Sequence, residues 1–196
     1  MTIHPIEQES YRILAERIDL SDLPPLSRAV VARVAHATAD LDLARSMVLD
    51  EDALVAAVAA LRRGAPVIAD VQMVAAGISG IPVACFLDQV GADAQPTRSA
   101  AAMRLAASEY PKGAIFVVGC APSALAAILE CATAAALDPL LVVGTPVGFV
   151  GATEAKAALA ASGVRAVSNT GEKGGSAVAA AVLNALIRAA NGAGRA

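Results

Sequence analysis

Two small-residue loops in the last third of this 196-residue chain have the composition of a ligand cradle. The first, Thr145-Pro146-Val147-Gly148-Phe149-Val150-Gly151, follows the apolar run Leu140–Gly144 and precedes a helical stretch from Ala152 to Ala161. The second, Asn169-Thr170-Gly171-Glu172-Lys173-Gly174-Gly175-Ser176, follows Val164–Ser168 and opens a long alanine-rich helix. Small residues let a ligand approach the backbone, and the opening turn of a helix aims free N–H groups at it. The pair is suited to an anionic or large polar ligand, with Val147, Gly148, Gly174 and Ser176 as lining and Lys173 as a cation within reach.

Other side chains that could carry chemistry are few. Arg98 lies between Thr97 and Ser99 at an expected helix start. It reads either as a surface arginine beside a capping hydroxyl or as a clamp for a carboxylate, with the hydroxyls as further donors. Gly119-Cys120-Ala121-Pro122-Ser123 is another turn into a helix, which makes Gly119 and Ser123 candidates. Cys120 there is a weak candidate nucleophile, because no histidine is near it in sequence. Asp70 reads first as a helix cap. Of two histidines, His4 lies in an N-terminal segment expected to be mobile. His36 ends a predicted helix, with Ala29, Ala32, Arg33 and Asp40 as helical neighbours. A helix C-terminus and a nearby carboxylate suit a proton-carrying imidazole, and so a general acid. On the bare sequence a structural histidine is the commoner case.

The elements that must position these residues change character near Pro66. Before it the chain reads as helical: Ile6–Ile18 with a stripe of Ile6, Ile13, Leu14 and Ile18, then Leu26–Ala37 with its start at Ser21–Pro25, then Glu51–Arg63 after Asp50. After it, short apolar runs at Val67–Ala69, Val83–Phe86, Ala114–Val118, Leu140–Val143 and Val164–Ser168 alternate with helices. The expectation is an α/β fold, with a mostly parallel sheet of about five strands, helices on both faces and an N-terminal helical segment, in a single domain over 1–196. Ligands of such sheets bind beyond the carboxyl ends of the strands, where the candidate loops fall. The tail from Asn191 is expected to fray.

Composition narrows the function. Hydrophobic residues make up 57% and charged residues 17%, an apolar balance that points to surface buried between subunits. Aromatics at 3%, a net charge of −3 and no basic block argue against a nucleic-acid partner. Neither a Walker loop nor a dinucleotide fingerprint is present, and the cysteine spacing fits no zinc site. Cys85, Cys120 and Cys131 read as reduced, buried thiols, and Met1–Ser10 has no apolar signal core, so the cytoplasm is expected. The charge-free stretches Ala114–Leu129 and Pro139–Thr153 are too short and too interrupted to span a membrane.

Taken together, Val34-Ala35-His36-Ala37-Thr38-Ala39-Asp40, Gly64-Ala65-Pro66-Val67-Ile68-Ala69-Asp70-Val71-Gln72-Met73-Val74, Thr97-Arg98-Ser99-Ala100-Ala101, Gly119-Cys120-Ala121-Pro122-Ser123, the segment Val143 to Lys156 and Gly174-Gly175-Ser176 resemble the precorrin-8X methylmutase family of corrin biosynthesis. The match runs in order from about Ile6 to Leu186. The resemblance implies an α/β homodimer with its site near the subunit interface and a tetrapyrrole substrate. It also implies migration of a methyl group between ring carbons without metal or other cofactor. The family's catalytic histidine falls on His36, and the substrate's acetate and propionate arms are expected to meet Arg98, Lys173 and the helix N-termini. The chain departs from the family at Cys120, where Asn is common, and at Glu172, where a basic residue is common. The competing expectation is a non-catalytic corrinoid-binding protein on the same scaffold.

Overall fold

The structure, a computed structural model, describes residues 4–192. The expected frayed tail therefore lies mostly outside the described residues. Three helices come first: α1 (Pro5–Arg17), α2 (Pro25–Thr38) and the short α3 (Leu41–Arg45). His4, the described residue just before α1, is tied down. The His4 ring accepts from the N–H of Ile6 and caps the helix. Ser21 does not cap α2. Its opening N–H groups, Leu26 and Ser27, donate instead to the carboxylate of Glu51, at the start of α4 (Glu51–Arg62). Asp50 caps α4 in the ordinary way.

The remaining strands and helices alternate: β2 (Val67–Ala69), α5 (Gln72–Gly77), β3 (Ala84–Cys85), α6 (Arg98–Glu109), β4 (Ile115–Val118), α7 (Pro122–Thr133), β5 (Leu141–Gly144), α8 (Ala152–Ala161), β6 (Ala166–Asn169) and α9 (Ser176–Ala190). All five expected strands are present and mutually parallel. A sixth, β1 (Met47–Val48), pairs antiparallel with β6 at the edge, giving the order β1-β6-β5-β4-β2-β3. Two residues carry no alternation to read, so β1 has no signature in the sequence.

The central strands β2, β4 and β5 bury both faces, as apolar runs without alternation require. Val67, Ala69, Ile115, Val117, Leu141, Val143 and Val167 face α2, α4, α5 and α9. Ile68, Phe116, Val118 and Val142 face α6, α7 and α8. The carboxyl ends of the five parallel strands share one edge. From it rise the loops after Ala69, Cys85, Val118, Gly144 and Asn169, the rim on which the candidate residues fall.

Candidate active site

His36 lies in the last turn of α2, which ends at Ala39 in a left-handed conformation (φ 53°). Its Nδ1 is 2.8 Å from Ser10 Oγ on α1, and its ring stacks on Tyr11 with centroids 4.9 Å apart and planes 16° from parallel. Among the described residues no hydrogen bond reaches Nε2. When Ser10 donates to Nδ1, the ring proton sits on Nε2, the free nitrogen, and a protonated ring carries one there too. A carboxylate that bears on this ring is Glu7 of α1, while Asp40, the neighbour that helical spacing implied, pairs with Lys173. Burial raises the Glu7 carboxyl, but the hydrogen bond from Arg188 and the charges of Arg188, Arg33 and His36 bring it below its ordinary value. Glu7 bridges Arg33 and Arg188 at 3.0 Å each and so ties α1 to α2 and α9.

Asp40 has a different partner because α2 stops at Ala39. Its carboxylate caps α3 through the N–H of Leu43 and meets Lys173 Nζ at 2.6 Å. The hydrogen bond with Lys173 holds the Asp40 carboxyl low, and the same bond raises the lysine. The pair brings the end of α2, and with it His36, to the loop between β6 and α9. Lys173 is thus on the rim as expected, but paired within the chain.

The two small-residue loops are joined. The N–H of Gly148 donates to Glu172 O at 3.1 Å and that of Gly175 to Thr145 O at 2.8 Å. A Cβ on Gly174 would lie 2.3 Å from Thr145 O, so only glycine allows this approach. Beneath the junction, buried Lys156 donates to Lys173 O at 2.7 Å and to Asn169 Oδ1 at 3.4 Å. On the outside, Phe149 and Val150 are 90% and 88% exposed.

A second group occupies the other end of the rim. Thr97 caps α6 through the N–H of Ala100 and shares a 2.8 Å hydrogen bond with Ser123 Oγ in the first turn of α7. Arg98 Nη2 donates to Leu87 O, while its buried Nε has no partner among the described residues. Ser99 is half-buried beside it. Asp70 is not the cap of α5. Fully buried, it accepts from the N–H groups of Gly119, Cys120 and Ala121 at 3.2, 2.9 and 3.0 Å, and so fixes the entry into α7. Burial raises its carboxyl in spite of these three bonds. Gly119 is a packing residue: a Cβ there would lie 2.9 Å from Ser176 Cα and 2.8 Å from Ala179 Cβ of α9. Cys120 is exposed rather than buried, and its thiol is pushed up by partial burial and then by the charge of Asp70, the opposite of an activated nucleophile.

His36 and the Arg98 group are not brought together within one chain. They lie on opposite faces of the sheet, and four strand spacings separate β6 from β3, roughly 19 Å along the rim. This arrangement offers one imidazole with a free nitrogen at one end and unsatisfied donors toward the other, with glycine-lined backbone between. It can bind a wide polyanion and protonate it at one point. Ser10, Tyr11, Glu7 and Lys156 are the site residues missed from sequence. Ser10 had a signal, as the polar residue at the helical spacing between Ile6 and Ile13/Leu14 of the stripe.

The profile of the precorrin-8X methylmutase family matches residues 5–189. The chain is 38% identical over 191 residues to the cobalt-precorrin-8 methylmutase of Methanothermobacter thermautotrophicus, covering 94% of this chain and 92% of that one. It is also 38% identical over 196 residues to the precorrin-8X methylmutase of a Sinorhizobium species, covering 93% of each. The crystal structure of the precorrin-8X methylmutase from Thermus thermophilus superposes with a TM-score of 0.88 at 36% identity, over 97% of this chain and 98% of that one.

Proposed function

The chain belongs to the precorrin-8X methylmutase family, and we propose that it is the isomerase that moves a methyl group from ring carbon 11 to ring carbon 12 of precorrin-8X, giving hydrogenobyrinic acid, in cobalamin biosynthesis. Relatives named for the cobalt-free and the cobalt-containing substrate match this chain at the same 38% identity, so cobalt-precorrin-8, giving cobyrinic acid, is the parallel substrate.

His36 is the proposed acid, and the observation that carries this role is the division of labour between its two ring nitrogens. Ser10 holds Nδ1, Tyr11 fixes the ring plane, and Nε2 is left to donate. A proton or strong hydrogen bond delivered to a ring nitrogen of the substrate polarises the conjugated system, lowers the barrier to methyl migration and stabilises the product tautomer. The methyl leaves one ring carbon and bonds to the next, and the proton lent by His36 returns, so substrate and product have the same composition. One well-placed acid contributes about 10²–10⁴ in rate, and holding the macrocycle in its reactive tautomer supplies more. The carboxylate arms are assigned to Arg98 with Thr97, Ser99 and Ser123 at one end of the rim and to Lys173 with Gly174 and Ser176 at the other. Val147 and Gly148 are assigned to the macrocycle face, and Gly119 serves the site by letting the β4–α7 turn pack against Ser176 and Ala179.

We assign the protein to the cytoplasm as a single-domain homodimer. The free state of Cys85, Cys120 and Cys131 supports a reducing compartment, and no described helix is long and apolar enough to cross a membrane. The exposed Phe149 and Val150 support an apolar contact with a second copy near the rim. The test of the reaction is incubation of the purified protein with precorrin-8X, and separately with cobalt-precorrin-8, under visible spectroscopy. Conversion to the corrin chromophore is expected. Binding without conversion of either substrate contradicts the assignment.

A further inference from the structure

Lys156 is 3% exposed, yet among the described residues no carboxylate pairs with it. Its hydrogen-bond partners, Lys173 O and Asn169 Oδ1, are both neutral, and burial lowers its pKa. The buried face of α8 otherwise consists of Ala152, Ala155 and Leu159. An apolar side chain at 156 would continue that face without the desolvation cost of an ammonium.

Two further observations fall on the same spot. Thr145 is fully buried, its Oγ1 has no partner among the described residues, and its carbonyl receives the N–H of Gly175. The opening turns of α8 and α9, which follow Gly151 and Gly175, also receive no side-chain cap. His4, Glu51, Asp40, Asp50 and Thr97 serve the starts of α1, α2, α3, α4 and α6, and Asp70 takes the N–H groups leading into α7, while the short α5 is also without a side-chain cap. An ammonium without a counter-ion, a buried unpaired hydroxyl and the uncapped start of α9 thus meet at the junction of the β5–α8 and β6–α9 loops. Buried positive charge beneath and unused N–H groups at the start of α9 make this junction favourable for an anion.

We propose that this junction is a carboxylate subsite, in which Lys156 supplies the fixed positive charge from beneath the loop and the loop backbone meets the anion. The identification of that anion as an acetate or propionate arm of the macrocycle rests on the proposed isomerase function. Lys156 is a positioning residue: it acts through the Lys173–Gly175 backbone and through its field, which the dry surroundings screen little.

The test uses Lys156→Gln, which keeps a donor without the charge, and Lys156→Met, which removes both. Hydrogenobyrinic acid and its fully amidated analogue are titrated against each folded variant by visible spectroscopy. Both variants are expected to weaken hydrogenobyrinic acid about tenfold and the amidated analogue by less than about twofold. Equal weakening of the two ligands, or of neither, overturns the subsite and leaves Lys156 as a strut. Benzenehexacarboxylate, a polycarboxylate with no corrin ring, separates this inference from the isomerase reading. A thermal shift by that anion that is lost in K156Q supports the subsite even where hydrogenobyrinic acid does not bind wild type. The same shift in wild type and K156Q overturns the subsite whatever the reaction is.

Discussion

Ser10 Oγ sits 2.8 Å from Nδ1 of His36, so a hydroxyl on the first helix holds one nitrogen of the imidazole on the second and leaves Nε2 for the proposed proton transfer. Ser10→Ala removes this hold and leaves Tyr11 to orient the ring alone. The expected result is a loss of about tenfold in kcat with KM little changed, the low end of what is lost when a histidine that ligates a metal loses its orienting partner. Steady-state turnover of precorrin-8X by wild type and variant measures it, and an unchanged kcat would remove Ser10 from the mechanism.

Lys173 faces a choice of partners. In the free protein it holds Asp40, and in the complex it is assigned a carboxylate arm. Lys173→Gln is expected to raise KM severalfold. Asp40→Asn, which frees the lysine, is expected to lower KM or leave it unchanged. A raised KM in D40N would mean that the pair itself, by seating the end of α2, is what the site needs.

Glu51 caps α2 from another helix through Leu26, Ser27 and the Ser27 hydroxyl. Burial raises its carboxyl, but the Ser27 side chain and the two N–H bonds carry it below 4.5. A depressed carboxyl contributes stability above its unfolded value and loses it as pH falls through the folded one. Glu51→Gln should therefore cost about 1–2 kcal/mol at neutral pH, and the gap should close as pH falls well below 4.5. Urea unfolding of both proteins across that range checks the sign: a gap that widens in acid contradicts the assignment.

Phe149 and Val150 present an apolar tip beside the rim. The expected solution mass is twice that of the 19.5 kDa chain, and Phe149→Asp should shift the protein toward monomer. Light scattering after size exclusion reads both. A monomeric wild type would leave the tip to the substrate alone.

Much of this molecule is readable in its sequence, for identifiable reasons. The five parallel strands are short apolar runs bounded by Gly, Pro and polar residues, and Thr97 and Asp50 cap helices where their local pattern says they should. Long-range pairings were not legible. Asp70 has the local pattern of a cap for α5 but spends its carboxylate on residues 119–121, and Asp40 is four residues from His36 but turned toward Lys173 by the left-handed Ala39. Ser10 and Lys156 are intermediate cases. Each is a polar residue at the helical spacing of an apolar face, a departure from pattern that marks a buried or half-buried function.

The most direct test of the central claim is His36→Ala, assayed for both turnover and binding. Methyl migration is expected to fall by about 10²–10⁴, while hydrogenobyrinic acid still binds, because the groups assigned to its carboxylates remain. An alanine variant that converts precorrin-8X at a rate near wild type would contradict that claim.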